Sequence, residues 1–403
     1  MRSSRLLSGR ALIVVVALVL TGAASAGTIA LVQRGDDDTS STPSARVQQT
    51  KAHGTLHPVA QFTPDDRELA SCRDQACYEQ AFANIAFKRG PREAIRAFDR
   101  KIRSDRTIEA GCHRIIHLVG AAALARYDGN VGKAFAEGTS TCWSGYYHGI
   151  LTYAFSDVTS KAELGTRARA VCADEDLRRT TYIAYQCVHG LGHGLMLQTG
   201  YNLPFSLQMC DALTTAWDQT SCTGGVFMEN ITPSLGYRTK WLKQDDLVYP
   251  CNAVKDRHKQ YCYLMVTSRI LQANGYRWDE AARLCAGVER RWVQTCFQSL
   301  GRDASGFTRQ SPSRVLALCR HAEAEQDECI YGAARDMTSN YANGERASQL
   351  CERVPQGIRA RCFFGIGTIL GGIAATSEGR RAVCAALTRT NVRACLRGSG
   401  EPA

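Results

Sequence analysis

The chain has 403 residues, a net charge of +11 and 18 cysteines. Arginine outnumbers lysine 40 to 9, the basic residues are scattered, and Arg290-Arg291 and Arg380-Arg381 are two of the few doublets beyond the N-terminus. Neither doublet is interleaved with aromatics in the manner of a nucleic-acid binder, so the charge reads as solvated helix faces and nucleic acid is excluded as a partner.

Residues 1–32 open with Arg2, Arg5 and Arg10 and continue into an uncharged run from Ala11 to Val32. A run of this length spans about 33 Å as a helix, enough to cross a bilayer. Ala24-Ser25-Ala26 is a small-x-small site of the kind a signal peptidase cleaves. The segment is expected to be a signal anchor or a signal peptide cut near Ala26. In either case the remainder lies outside the cytoplasm, because the arginines precede the run and Asp36, Asp37 and Asp38 follow it. Residues 33–60, rich in Asp, Ser, Thr, Pro and Gln, lack apolar periodicity and read as a disordered tether.

From residue 61 onward the cysteines set the pattern. They pair about eleven residues apart at 210/222, 251/262, 285/296, 319/329, 351/362 and 384/395, and the second member recurs every 33 or 34 residues from Cys262 to Cys395. That period belongs to arrays of two-helix units. An even cysteine count without any Cys-x-x-Cys points to disulfides, hence to an oxidising compartment, and not to a zinc or thioredoxin-type site. Cys72 with Cys77 and Cys172 with Cys187 are local pairs, which leaves Cys112 and Cys142 to join consecutive units. The expected fold is all-α: a disulfide-stapled α-solenoid of about nine two-helix repeats, each packing only on its neighbours. Residues 61–240 form a histidine-bearing part and residues 241–403 a disulfide-linked C-terminal part. In each repeat, helix A, a charged loop closed by a disulfide, and helix B follow one another. Glycine recurs three residues after the second cysteine, at Gly145, Gly190, Gly225, Gly332, Gly365 and Gly398. Glycine within a helix costs about 1 kcal/mol relative to alanine, so its recurrence implies close backbone approach. In period and topology the array resembles disulfide-stapled relatives of the tetratricopeptide and Sel1-like repeats. Neither family's residue signature is present, and the resemblance carries no function.

Familiar catalytic motifs are absent: no His-Glu-x-x-His, no Gly-x-Ser-x-Gly and no Walker loop. Histidine is what stands out. Five of the nine fall between residues 113 and 193, each just after a helix-B cysteine: His113 and His117, His148, then His189 and His193. His113/His117 and His189/His193 are i, i+4 pairs, which share a helix face at a spacing that lets two imidazoles chelate one ion. One histidine on a helix is ordinarily a packed or surface residue. The repeats provide an internal control: six residues after the second cysteine stand His148, His193 and Met228, then Ser268, Arg302, Arg335 and Thr368. The unit therefore packs without histidine there, and a metal or another polar ligand is expected where histidine is retained. His117, His148 and His193 are expected to converge, with His113 and His189 as outer ligands or the core of a second site.

With the thiols oxidised, nitrogen donors favour a divalent transition metal, copper or zinc, and Met228 with Met196 nearby leans toward copper. Glu229 is the catalytic candidate. It could be a ligand, a partner that orients an imidazole, or a general base for metal-bound water; it would face the cavity if the reaction is metal-assisted hydrolysis or oxidation, and turn from it if the ion is only stored. Tyr146 and Tyr147 are expected to pack as aromatics, and His53, His57, His258 and His321, in the tether or charged loops, receive no role. Beside a stalk with no ligand at all, two functions follow. One is an extracytoplasmic metal-binding protein, with a metalloenzyme as its extension. The other is a membrane-tethered scaffold without catalytic activity, gripping a protein or cell-envelope partner on a concave face.

Overall fold

The computed structural model describes residues 60–402 together with Leu56, apart from 140, 159 and 234–238. The expected anchor, its cleavage site and most of the tether lie outside the described residues. All described regular structure is helical. None of the helices among the described residues is long and apolar enough to cross a membrane.

The elements run α1 Gln75–Arg89, α2 Pro91–Lys101, α3 Arg106–Ala110, α4 Cys112–Arg126, α5 Val131–Ala136, α6 Thr141–Tyr153, α7 Lys161–Ala170, α8 Thr181–Gln198, α9 Leu203–Asp211 and α10 Ala216–Ile231. The C-terminal part holds α11 Asp256–Ala273, α12 Trp278–Ala286, α13 Val293–Phe307, α14 Pro312–Cys319, α15 Gln326–Tyr341, α16 Glu345–Cys351, α17 Gln356–Ile373, α18 Ser377–Leu387 and α19 Val392–Gly398. A shorter and a longer helix alternate through most of the chain. The exception is the stretch before α11, where described residues 239–255 form turns and bends in place of a helix A. Cys251 there still pairs with Cys262.

All nine expected disulfides are present, with Cα–Cα separations of 5.3 to 5.9 Å. No described cysteine is free, and nine disulfides point to an oxidising, extracytoplasmic environment. Most local bridges tie the end of one helix to the next and close a loop of ten to fifteen residues; the Cys251–Cys262 bridge instead ties a turn to α11. Closure of that size stabilises by about 2–4 kcal/mol, largely by restricting the unfolded chain.

Four of the longer helices, α8, α10, α11 and α17, begin a turn or more ahead of their cysteine. Thr180 caps α8 by accepting from the Ile183 amide, and Thr215 caps α10 by accepting from Asp218. Cys187 and Cys222 are therefore the seventh residues of their helices, and His189 and His193 lie mid-helix. His258, expected in a charged loop, is buried in the first turn of α11, with Nε2 2.9 Å from Asp211 Oδ1.

The core lies between the longer helices, which pack in succession: α1 on α4, α4 on α6, α6 on α8, α8 on α10, α10 on α11, and so on to α19. Glycines set the closeness of these contacts. A Cβ on Gly225 would lie 1.9 Å from the His189 carbonyl oxygen, and one on Gly149 would lie 1.9 Å from that of His117. Only glycine admits the neighbouring backbone there. Packing is not confined to neighbours, however. α15 also contacts α6, and α17 contacts α8, so the inner faces of C-terminal helices meet the histidine-bearing ones. That departs from an array in which each unit touches only the next.

Candidate metal centre

The five histidines come from three consecutive long helices. His113 and His117 lie on α4, His148 on α6, and His189 and His193 on α8. His117, His148, His189 and His193 are buried, and His113 is partly so. Two sets of three offer donor atoms that all lie within 4.8 Å of one another: His113, His117 and His148, and His148, His189 and His193. His148 is common to both. The grouping differs from the expected trio of His117, His148 and His193. Helix geometry keeps each i, i+4 pair together, so each pair meets the middle histidine as a unit. His148 and His193 are stacked, with ring centroids 4.7 Å apart and an interplanar angle of 18°.

Hydrogen bonds assign the ring nitrogens. His113 donates from Nδ1 to the Cys142 carbonyl at 2.7 Å, which leaves Nε2 as its lone-pair nitrogen. His117 Nε2 lies 3.1 Å from that Nε2. Two nitrogens bound to one tetrahedral ion at 2.0–2.1 Å stand about 3.3 Å apart, so the pair already has nearly the chelating separation. His189 has Tyr185 Oη 3.1 Å from Nδ1 and a hydrogen bond to the backbone of Ser221. His193 donates from Nδ1 to Glu229 Oε2 at 2.7 Å, and Tyr201 donates its hydroxyl to Glu229 Oε1 at 2.7 Å. What remains is telling: His193 Nε2 and His148 Nδ1 are buried with no hydrogen-bond partner. An orphaned buried imidazole nitrogen is costly unless something takes its lone pair or proton.

Burial decides the charge state. It pushes His113 down to about 4, and holds His117, His148 and His189 well below the ordinary histidine range, with repulsion from neighbouring imidazoles adding to the effect. At neutral pH these rings are neutral, the form that binds metals.

Glu229 is fully buried, and its carboxylate lies behind His193. A carboxylate holding the far nitrogen of a histidine fixes the ring and raises its basicity, an arrangement typical of metal-bound histidines. Tyr146 donates to the Ala134 carbonyl and Tyr147 packs 4.8 Å from Phe135, so both are core aromatics as expected. Met196 is likewise core. Met228 lines the pocket that opens onto the cluster.

That pocket has a volume of about 300 Å³. His148 and His189 form part of its wall, and α6, α8, α10, α11, α13, α15 and α17 all contribute residues. The register found in the sequence recurs here: His148, Met228, Arg302, Arg335 and Thr368, each six residues after a second cysteine, all line it. Sequence reasoning missed Tyr185 and Tyr201, which hold His189 and Glu229. Tyr185 stands four residues before His189, a helical neighbour that could have been noticed; Tyr201 carries no such signal. Arg302 on α13 and Arg335 on α15 carry no ligand signal in the sequence; they share the pocket with the histidines because the C-terminal helices fold back, α15 packing on α6.

No protein-family model, curated protein or solved structure matches the chain.

Proposed function

We propose that the protein is an extracytoplasmic metalloprotein that binds copper or zinc through His148, His189 and His193, with His113 and His117 forming an adjoining group through the same His148. The observation that carries this reading is the pair of buried ring nitrogens without partners, His148 Nδ1 and His193 Nε2, inside three-histidine groups of chelating dimensions. Neutral imidazoles suit copper and zinc, and with every cysteine in a disulfide no thiolate competes. Glu229 acts as a positioning residue for His193 and not as the general base, because both of its oxygens are engaged, one by His193 and one by Tyr201.

The pocket wall formed by His148 and His189 gives the ion an open side. Three protein nitrogens and an exchangeable fourth position are the arrangement of a catalytic metal, whereas a structural site is closed by four protein ligands. The protein is thus read as a metalloenzyme or ligand-binding metalloprotein whose chemistry takes place in the pocket.

X-ray absorption at the metal edge tests this on untagged protein loaded with copper or zinc. The expected first shell contains nitrogen and oxygen only, with the multiple scattering of at least three imidazoles. A sulfur-containing shell would instead bring Met228 into the site, and a shell of water oxygens alone would overturn the assignment.

A further inference from the structure

The pocket above the histidines has a second charged feature. Arg335, on α15, lines it, and among the described residues no carboxylate forms an ion pair with this guanidinium. Its Nε is buried without a hydrogen-bond partner among the described residues, and the guanidinium lies over the face of Tyr331, 5.5 Å from the centroid. Arg302, by contrast, is held by Asp303 at 2.8 Å and Ser268 at 2.5 Å. Arg335 is close enough to the hydroxyls of Tyr185 and Tyr261 for its charge to act on both, and Tyr185 in turn reaches His189. One wall of the pocket therefore passes from an unpaired guanidinium through a tyrosine pair to the histidine cluster. The rest is mixed: Trp217, Leu264, Met265 and Ile369 supply apolar surface, and Gln186, Gln298 and Asp336 are polar.

Charge balance indicates what such a space accepts. Neutral imidazoles leave a divalent ion's charge to be offset by Glu229 behind His193 and by Asp336 on the pocket wall, and Arg335 adds another positive charge beside that of Arg302, which Asp303 already pairs. An unpaired guanidinium is a planar donor fork suited to a carboxylate. We infer that the pocket binds a small organic carboxylate with an aromatic or apolar body, its carboxylate on Arg335 and its body against the tyrosines and Trp217, facing the metal. This deepens the metalloprotein reading and rests on it for the role of the ion. The anion subsite itself rests on Arg335 alone.

Phenylacetate and its neutral isostere phenylacetamide are suitable probes, titrated by calorimetry into metal-loaded and metal-free protein. The expected result is saturable binding of phenylacetate to the loaded protein, with phenylacetamide at least about tenfold weaker, as loss of a charge-assisted hydrogen bond implies. Arg335→Leu is expected to weaken phenylacetate by about tenfold or more while leaving the bound-metal content unchanged, and Arg335→Lys to fall between. Equal affinity for acid and amide in the wild type overturns the inference without recourse to any variant; so does unchanged phenylacetate binding by a folded Arg335→Leu protein. If no metal binds but phenylacetate still discriminates through Arg335, the metal reading fails and the anion subsite stands. If metal binds and phenylacetate does not, the subsite fails and the metal centre stands.

Discussion

At the scale of single residues, the site is a set of assigned nitrogens. Glu229 fixes His193 from behind and Tyr201 fixes Glu229. Glu229→Gln should keep the shape of this chain but lose the charge, lowering metal affinity by about 10–100-fold; competition with a calibrated chelator measures it. Tyr201→Phe should cost less, and an unchanged affinity in Glu229→Gln would remove Glu229 from the account. The imidazoles also set a pH dependence for metal-free protein. Their folded pKa values lie below the ordinary 6.5, to about 4 for His113, so the unfolded chain binds more protons between these values. Stability is therefore full above about pH 6.5 and falls as pH drops through that window. Melting temperatures of metal-free protein should decline from pH 7 to 5, and a flat profile would contradict buried neutral histidines. The five histidines were legible because they occur in register and vanish from later units. Glu229 was legible as a candidate with three open roles, and the hydrogen bond to His193 decides between them; the roles of Tyr185 and Tyr201 were not, because a side-chain hydrogen bond depends on rotamer and helix rotation, and spacing along the chain encodes neither.

At the scale of elements, glycine and cystine set how closely the helices pack. Gly225→Ala would drive a Cβ into the His189 carbonyl of α8. It should destabilise by about 1–3 kcal/mol and weaken metal binding by shifting α8. Gly357→Ala in α17, where a Cβ would meet nothing within 4 Å, should instead stabilise by about 0.5–1 kcal/mol. Paired thermal melts check both signs. The Cys112–Cys142 bridge joins α4 to α6 next to the carbonyl that accepts from His113. Its double serine variant should lose both stability and metal affinity, whereas the equivalent change at Cys384–Cys395 should lose stability alone. The pairing itself was readable from the sequence, since cysteines flanking a short loop between two helices have few other partners. The missing helix A before α11 was not, because Cys251 keeps the spacing although residues 239–255 form turns. The starts of α8 and α10 are set by the capping threonines Thr180 and Thr215, which lie seven residues ahead of Cys187 and Cys222 and outside the cysteine rhythm.

At the scale of the whole described chain, the contacts of α15 with α6 and of α17 with α8 join segments nearly two hundred residues apart. They make a pocket out of residues that a purely sequential array would leave on an open face, and no periodicity in the sequence predicts them. They also couple the two parts in unfolding. Amide exchange in α6 and α15 should share one opening free energy, and distinct values would indicate unit-by-unit opening. The central claim is that His148 stands at the shared corner of two three-histidine groups and that metal binding depends on it. The most direct test is metal content of untagged wild-type and His148→Ala protein after equilibration with copper or zinc, read beside helicity and melting temperature. At least one ion per wild-type chain is expected, and loss of that ion in a variant that keeps its helical content. A wild type that retains no metal, or a His148→Ala protein that retains all of it, would contradict the account.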